Sequence, residues 1–78
     1  MPTLLLKDGF RVYFYSHEPN EPPHVHVDHS GSSAKVWLHD CSVARNVGFT
    51  AKDLGRVVQL VREHREAFVE AWNGFFGV

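Results

Sequence analysis

The sequence predicts an α+β fold in which a small antiparallel sheet of three to four strands is followed by a C-terminal helical segment. Two observations predict it. Apolar and polar residues alternate through much of residues 10–39, which is typical of half-buried strands. From Leu54 onward, the apolar residues recur at helical spacing instead. A chain of 78 residues has the length of one domain, so residues 1–78 are expected to form a single unit.

The strands are predicted from their alternation and from the turn residues between them. Asp8-Gly9 is a turn signal, and the first strand follows it. The predicted strands are residues 10–15, 24–28 and 34–39, with a short fourth strand near residues 43–46. Residues 30–33 are expected to turn the second strand into the third as a hairpin. Residues 16–23, which include His17, Glu18 and Glu21, are expected to form a polar loop.

Side chains two apart on a strand share a face, so these strands define two faces. One face is hydrophobic and should pack against the helical segment: Phe10, Val12, Phe14, Val25, Val27, Val36 and Leu38. The other face collects aromatic, imidazole and basic side chains: Arg11, Tyr13, Tyr15, His24, His26, Lys35, Trp37 and His39. His24 and His26 are therefore predicted to point away from the helices.

The helical segment is predicted to begin after Thr50, whose side chain suits an N-cap, with Asp53 in the first turn. Gly74 and Gly77 are expected to end it. Both one long helix and two helices bent near His64 fit the periodicity. An unbroken helix of about 25 residues would be about 37 Å long, which is long for so small a sheet, so a bend is expected.

Composition excludes several classes of function. The net charge is −1 and no basic run is present, which argues against strong binding to a nucleic-acid backbone. The single cysteine, Cys41, allows no internal disulfide and fits a reducing compartment. No apolar stretch is long enough for a signal peptide or a membrane span, so we expect a cytoplasmic protein without a membrane partner.

The polar sheet face is the main functional lead. Its stacking groups, imidazoles and cations would suit RNA, a nucleotide or a protein partner. The candidate binding residues are Tyr13, Tyr15, His24, His26, Lys35, Trp37 and His39. The alternative is an ordinary solvated face, or one covered by a second copy of the chain.

Catalytic and metal-binding interpretations rest on the same histidines. Hydrolysis would use His24 or His26 as acid or base, with Arg11 or Lys35 contacting a phosphate and Arg45 as a further candidate. No nucleophile triad, paired carboxylate or glycine-rich phosphate loop supports this.

A metal site needs a third ligand beyond the two histidines, which His39 or Asp28 would have to supply. The sequence offers no defined ligand set. We therefore expect neither a metal nor another cofactor.

Several motifs along the chain resemble those of a family of small bacterial proteins, domain of unknown function 4160. The most specific is Glu21-Pro22-Pro23-His24-Val25-His26-Val27. The others are Met1-Pro2-Thr3, Phe10-Arg11, Phe14-Tyr15-Ser16, Ala34-Lys35-Val36-Trp37-Leu38, Gly48-Phe49-Thr50-Ala51, Asp53-Leu54, Ala71-Trp72-Asn73 and Phe76. Asp53 stands where the family pattern has Glu.

The resemblance implies a component of a toxin–antitoxin-like gene pair, encoded beside a small protein of domain of unknown function 2442. It transfers no catalytic residues. The leading hypothesis is a protein-interaction module that binds this cognate partner through the polar sheet face or through the aromatic C-terminus. An RNase-type toxin that uses His24 and His26 is the first alternative, and a metal-binding domain is the second.

Overall fold

The computed structural model describes residues 3–16 and 20–77. Its elements in chain order are β1 (Thr3–Lys7), β2 (Phe10–Tyr13), β3 (His24–His29), β4 (Ser32–Trp37), β5 (Val43–Val47) and α1 (Ala51–Phe76). All strands are antiparallel, and their order in the sheet is the order in the sequence. The predicted class, an antiparallel sheet followed by a helical segment, is confirmed. His17 and Glu18 of the predicted loop lie outside the described residues.

Two-residue turns connect β1 to β2 and β3 to β4 as hairpins. Asp8 and Gly9 have φ values of 52° and 82°, and Ser30 and Gly31 have φ values of 48° and 82°. Positive φ at both central residues matches the right-handed twist of the flanking strands, so such turns form tight two-residue hairpins. The hairpin turn predicted over residues 30–33 is therefore shorter, and β4 begins at Ser32.

The sheet has five strands, so the predicted number of three to four is too low. The missing strand is β1, which pairs with β2 across the Asp8-Gly9 turn. Its apolar run, Leu4 to Leu6, does not alternate with polar residues, and this hid the strand in the sequence. The expected fourth strand near residues 43–46 is confirmed as β5.

The C-terminal half is one continuous helix, so the expected bend near His64 is wrong. Thr50 caps it as predicted, with its Oγ1 accepting a hydrogen bond from the Asp53 N–H at 3.2 Å. The helix ends at Gly77, whose φ of 74° lets its N–H bond the Asn73 carbonyl. His64 does not interrupt the helix, which continues to Phe76. The His64 Nδ1 lies 3.0 Å from the Leu60 carbonyl oxygen of the preceding turn.

The hydrophobic face of the sheet packs against α1, as predicted. Its buried members include Val12, Val25, Val27, Val36 and Leu38, each fully inaccessible to solvent. The helix contributes Val57, Leu60, Val61 and Phe68 to the same core. Cys41 is buried in this core as well.

The last turns of α1 continue the packing beyond β2. Trp72, Phe75 and Phe76 place their rings 5.2, 5.4 and 5.6 Å from the ring of Phe14. This aromatic cluster holds the C-terminal end of the helix against the sheet. Phe75 is nevertheless 51% exposed.

Candidate functional site

The face of the sheet opposite α1, called the open face below, is organised by strand register. One cross-strand row runs Thr3, Tyr13, His26, Lys35 and Arg45, and the next runs Leu6, Arg11, Asp28, Ser33 and Val47. Paired residues in neighbouring strands share a face and contact one another. The register therefore brings most of the predicted candidates onto one surface, with Tyr15 just beyond the end of β2.

Tyr13 lies at the centre of the open face. It is only 4% exposed, because His26 stacks on its ring at 5.4 Å and the Arg11 guanidinium lies 4.6 Å from the ring centroid. Its hydroxyl lies 3.1 Å from each carboxylate oxygen of Asp28 and donates to that group. Burial, with hydrogen bonding to Tyr15 and Asp28, raises the pKa of Tyr13 far above its ordinary value. Tyr13 is thus a neutral anchor for the surrounding side chains.

His24 does not lie on the accessible surface, contrary to the prediction that it points away from the helix. Its side chain is 0% exposed, and its ring lies 4.9 Å from Trp72 of α1 and 5.6 Å from Trp37. Its Nδ1 is 2.9 Å from the Pro22 carbonyl oxygen, so this nitrogen carries the proton and donates it. The reason is that the continuous helix carries Trp72 to the end of the sheet, where it covers His24.

His26 lies on the open face, as predicted, and is half-buried. Its ring contacts Tyr15 at 4.6 Å and His24 at 5.2 Å, in addition to Tyr13. The two histidines of the strand thus have different environments, because one is enclosed by indoles and the other borders solvent.

Lys35 lies on the open face and contacts Glu21 in the loop before β3. Its ammonium forms an ion pair with Glu21 and lies 4.7 Å from the centroid of the Trp37 ring. The Lys35 side chain is 18% exposed, so this pair is partly shielded from water. An ammonium has three donors, and the Glu21 contact uses one of them.

A cavity of about 370 Å³ opens beside Lys35, and its lining includes Tyr15, His26, Ser33, Lys35, Arg45 and Val47. We call it the Lys35–Arg45 pocket. Arg45 is exposed, and no hydrogen bond or ion pair from its side chain to another described residue is found. Four candidates from the sequence therefore meet around one cavity: Tyr15, His26, Lys35 and Arg45.

The other candidates do not line this pocket, and Arg11 and His39 lie on different parts of the sheet from it. Arg11 donates to the Thr3 hydroxyl on the β1 side of the open face. His39 follows β4, and its exposed ring lies 3.4 Å from the Asp40 carboxylate. Hydrogen bonds from Ser42 lower the pKa of Asp40.

The potential metal ligands are not clustered. Within residues 3–16 and 20–77, no three His, Cys, Asp or Glu side chains are grouped closely enough to hold a metal ion. Neither His39 nor Asp28 therefore completes a three-ligand group with His24 and His26.

A family model described as domain of unknown function (DUF4160) matches residues 9–73. The chain belongs to this family. The match includes the Glu21–Val27 motif and most of α1, so the resemblance inferred from the motifs is confirmed. Comparisons with curated proteins and with solved structures find no match. No helix among the described residues of this DUF4160 chain is long and apolar enough to cross a membrane.

Sequence reasoning missed two apolar residues on the open face of this family member. Leu6 is 72% exposed beside Arg11, and Val47 is 49% exposed beside Ser33. One lies on each edge strand, so they flank the aromatic and basic centre of the face. Leu6 was missed because β1 was missed, although a strand before the Asp8-Gly9 turn would have placed it. Val47 lies one residue beyond the predicted end of the fourth strand.

Proposed function

We propose that this DUF4160 chain is a cytoplasmic protein-interaction module, one member of a toxin–antitoxin-like pair, that binds a small protein encoded by a neighbouring gene. The observation that carries the proposal is the composition of the open face. Aromatic and basic side chains form its centre, and the exposed Leu6 and Val47 flank it. Protein interfaces are enriched in aromatic residues and Arg, while singly exposed apolar residues gain from being covered.

The charge of the open face favours an acidic partner. Among the described residues it carries three cations, Arg11, Lys35 and Arg45, and two carboxylates, Asp28 and Glu21. Its local balance is therefore +1, whereas the whole chain has a net charge of −1. Complementary charge steers association and selects between partners. A segment that combines a carboxylate with apolar side chains would match both the cations and the exposed aliphatic residues.

The geometry supports binding better than the RNase-type alternative. Acid–base cleavage of RNA needs two groups that exchange protons with substrate, and the sequence offered His24 and His26. Because His24 is fully buried and donates to Pro22, only His26 borders the Lys35–Arg45 pocket. Arg11, the other phosphate-binding candidate, lies on the far side of Tyr13.

Co-expression with the neighbouring gene product, followed by affinity capture, tests the proposal. Trp37→Ala and Val47→Ala should each weaken the complex, because they remove an aromatic and an aliphatic side chain from the open face. Because Trp37 also packs on His24, urea unfolding must show that Trp37→Ala remains folded. Phe75→Ala is the matched control for Val47→Ala, since Phe75 is 51% exposed and Val47 49%, but Phe75 lies at the end of α1. Loss of binding in Phe75→Ala alone would move the interface to the aromatic C-terminus.

Growth assays address the gene-pair part of the proposal. The chain is expressed in a bacterial host alone, with the neighbouring gene, and as Trp37→Ala with that gene. If the chain is the toxin, it should arrest growth and its partner should relieve the arrest. Relief should fail for Trp37→Ala. If neither gene affects growth while the complex still forms, the interaction stands and the toxin–antitoxin assignment is wrong.

A further inference from the structure

We propose that the Lys35–Arg45 pocket is a binding site for the phosphate of a nucleotide, whether free or as one unit of an RNA strand. This goes beyond the proposed function and does not depend on it. The pocket combines two cations with aromatic and apolar walls, and its volume of about 370 Å³ lies in the range of small-molecule sites.

The first argument is the pairing of like charges across two strands. Lys35 of β4 is directly opposite Arg45 of β5, so the two cationic side chains are neighbours on the same face of the sheet. Like charges in that position destabilise a sheet, and Glu21 neutralises only the lysine. An anion between Lys35 and Arg45 would relieve the repulsion. The guanidinium offers paired donors that match phosphate oxygens, and the ammonium has donors beyond the one given to Glu21.

The second argument is the character of the walls. The rings of Tyr15 and His26 border one side of the pocket, and the exposed Val47 borders another. Aromatic side chains beside a cationic groove are the usual means of stacking an unpaired base. The hydroxyl of Ser33 adds a donor and acceptor for a sugar or phosphate oxygen. An inorganic anion would use the cations alone, whereas a nucleotide would use both parts of the pocket.

The test is a titration of isotope-labelled, full-length protein, followed by amide chemical shifts in two-dimensional NMR. Four probes are used: adenosine monophosphate, a short single-stranded RNA, inorganic phosphate and succinate. The two nucleotide probes should give saturable shifts at Ser33, Lys35, Arg45 and Val47. Inorganic phosphate and succinate should bind more weakly, because they make no contact with the aromatic wall.

Variants with opposite expected effects separate a site from a general charge effect. Arg45→Gln should weaken nucleotide binding about tenfold, the size expected for a lost charge-assisted hydrogen bond. Glu21→Gln should strengthen binding, because it releases Lys35 from its ion pair. Lys52→Gln is the matched control, since Lys52 is an exposed cation on α1 that does not line this pocket. Unfolding by urea confirms that each variant remains folded.

The salt dependence and the choice of probe complete the test. Neutralisation of one phosphate by Lys35 and Arg45 predicts a slope of about −0.7 for the logarithm of the RNA binding constant against that of salt concentration. Arg45→Gln should make this slope shallower. Tighter binding of RNA than of the mononucleotide assigns the site to RNA, and equal binding assigns it to free nucleotides. The proposal is overturned if the nucleotides do not saturate, or if Arg45→Gln and Lys52→Gln behave alike. The proposal is also overturned if succinate or inorganic phosphate binds as tightly as the nucleotides. Tight binding of succinate would indicate that the pocket takes an acidic protein segment instead.

Discussion

His24 should contribute to stability as much as a core aliphatic residue, although it is polar and belongs to the open-face side of β3. The perturbation is His24→Ala. It removes a fully buried ring that contacts Trp37 and Trp72, together with the hydrogen bond from Nδ1 to the Pro22 carbonyl. A chain of this length is expected to have a free energy of unfolding of about 4–12 kcal/mol, so a loss of a few kcal/mol is a large fraction of its stability.

The magnitude follows from the groups lost. A net intramolecular hydrogen bond contributes about 1 kcal/mol, and an aromatic pair about 0.5–1.5 kcal/mol beyond its buried area. The cavity left between the two indoles adds a further cost. We therefore expect His24→Ala to lower the free energy of unfolding by about 2–4 kcal/mol. Leu38→Ala, which truncates a fully buried aliphatic side chain, should cost about 2–5 kcal/mol.

The assay is urea unfolding followed by far-ultraviolet circular dichroism, because the fluorescence of Trp37 and Trp72 would itself respond to the substitution. His39→Ala is the matched control: its side chain is 63% exposed, so the change should stay within about 0.5 kcal/mol. If His24→Ala matches His39→Ala while Leu38→Ala unfolds readily, His24 lies on the surface and the packing argument is refuted.

Three further outcomes follow from particular residues. Burial raises the pKa of Tyr13, so the neutral phenol stabilises the folded state. This contribution is complete below the pKa of about 10 that Tyr13 has in the unfolded chain, and it is lost as the pH rises above that value. Tyr15→Phe leaves Tyr13 as the remaining tyrosine and keeps the burial that is the largest cause of its raised pKa, so phenolate absorbance should rise together with unfolding. Titration near pH 10 in the folded state would contradict this. Gly48→Ala should cost about 1–3 kcal/mol, because φ is 93° and the new Cβ would lie 2.8 Å from the Ser32 hydroxyl. Gly55→Ala, in open space on the helix, should instead stabilise by about 0.5–1 kcal/mol, and equal thermal shifts in the two variants would exclude this account. Elemental analysis of untagged, chelator-washed protein should find no stoichiometric zinc or nickel. One metal per chain, lost in His26→Ala, would favour the metal-binding alternative.

Alternation and turn chemistry were sufficient to predict β2 to β4 and the face that packs on α1. Val25 and Val27 are buried and His26 faces the other side, because the side-chain period of a strand is two. The start of α1 was equally predictable, since Thr50 provides the expected cap. Strand β1 was not predicted, because an unbroken run of leucines fits strand and helix alike.

The error at the helix and the error at His24 have one physical cause. Residue periodicity indicates which side of a helix is apolar, but a bend near His64 depends on tertiary packing. The continuous helix carries Trp72 to the end of the sheet, where its indole lies 4.9 Å from the His24 ring. A helix bent at His64 would direct Trp72 elsewhere and leave His24 open. Alternation predicts the face of a side chain, whereas its burial depends on which distant residue covers that face.

The different environments of His24, which is buried, and His26, which borders the pocket, affect the design of functional experiments. Loss of partner or nucleotide binding in His24→Ala would follow from lost packing alone, because His24 supports the end of the sheet beside Trp37. His26 and Arg45 border the pocket, and the Arg45 side chain makes no hydrogen bond or ion pair with another described residue. Arg45→Gln therefore separates function from folding most cleanly. It removes a charge that faces Lys35 and is expected to leave the core intact.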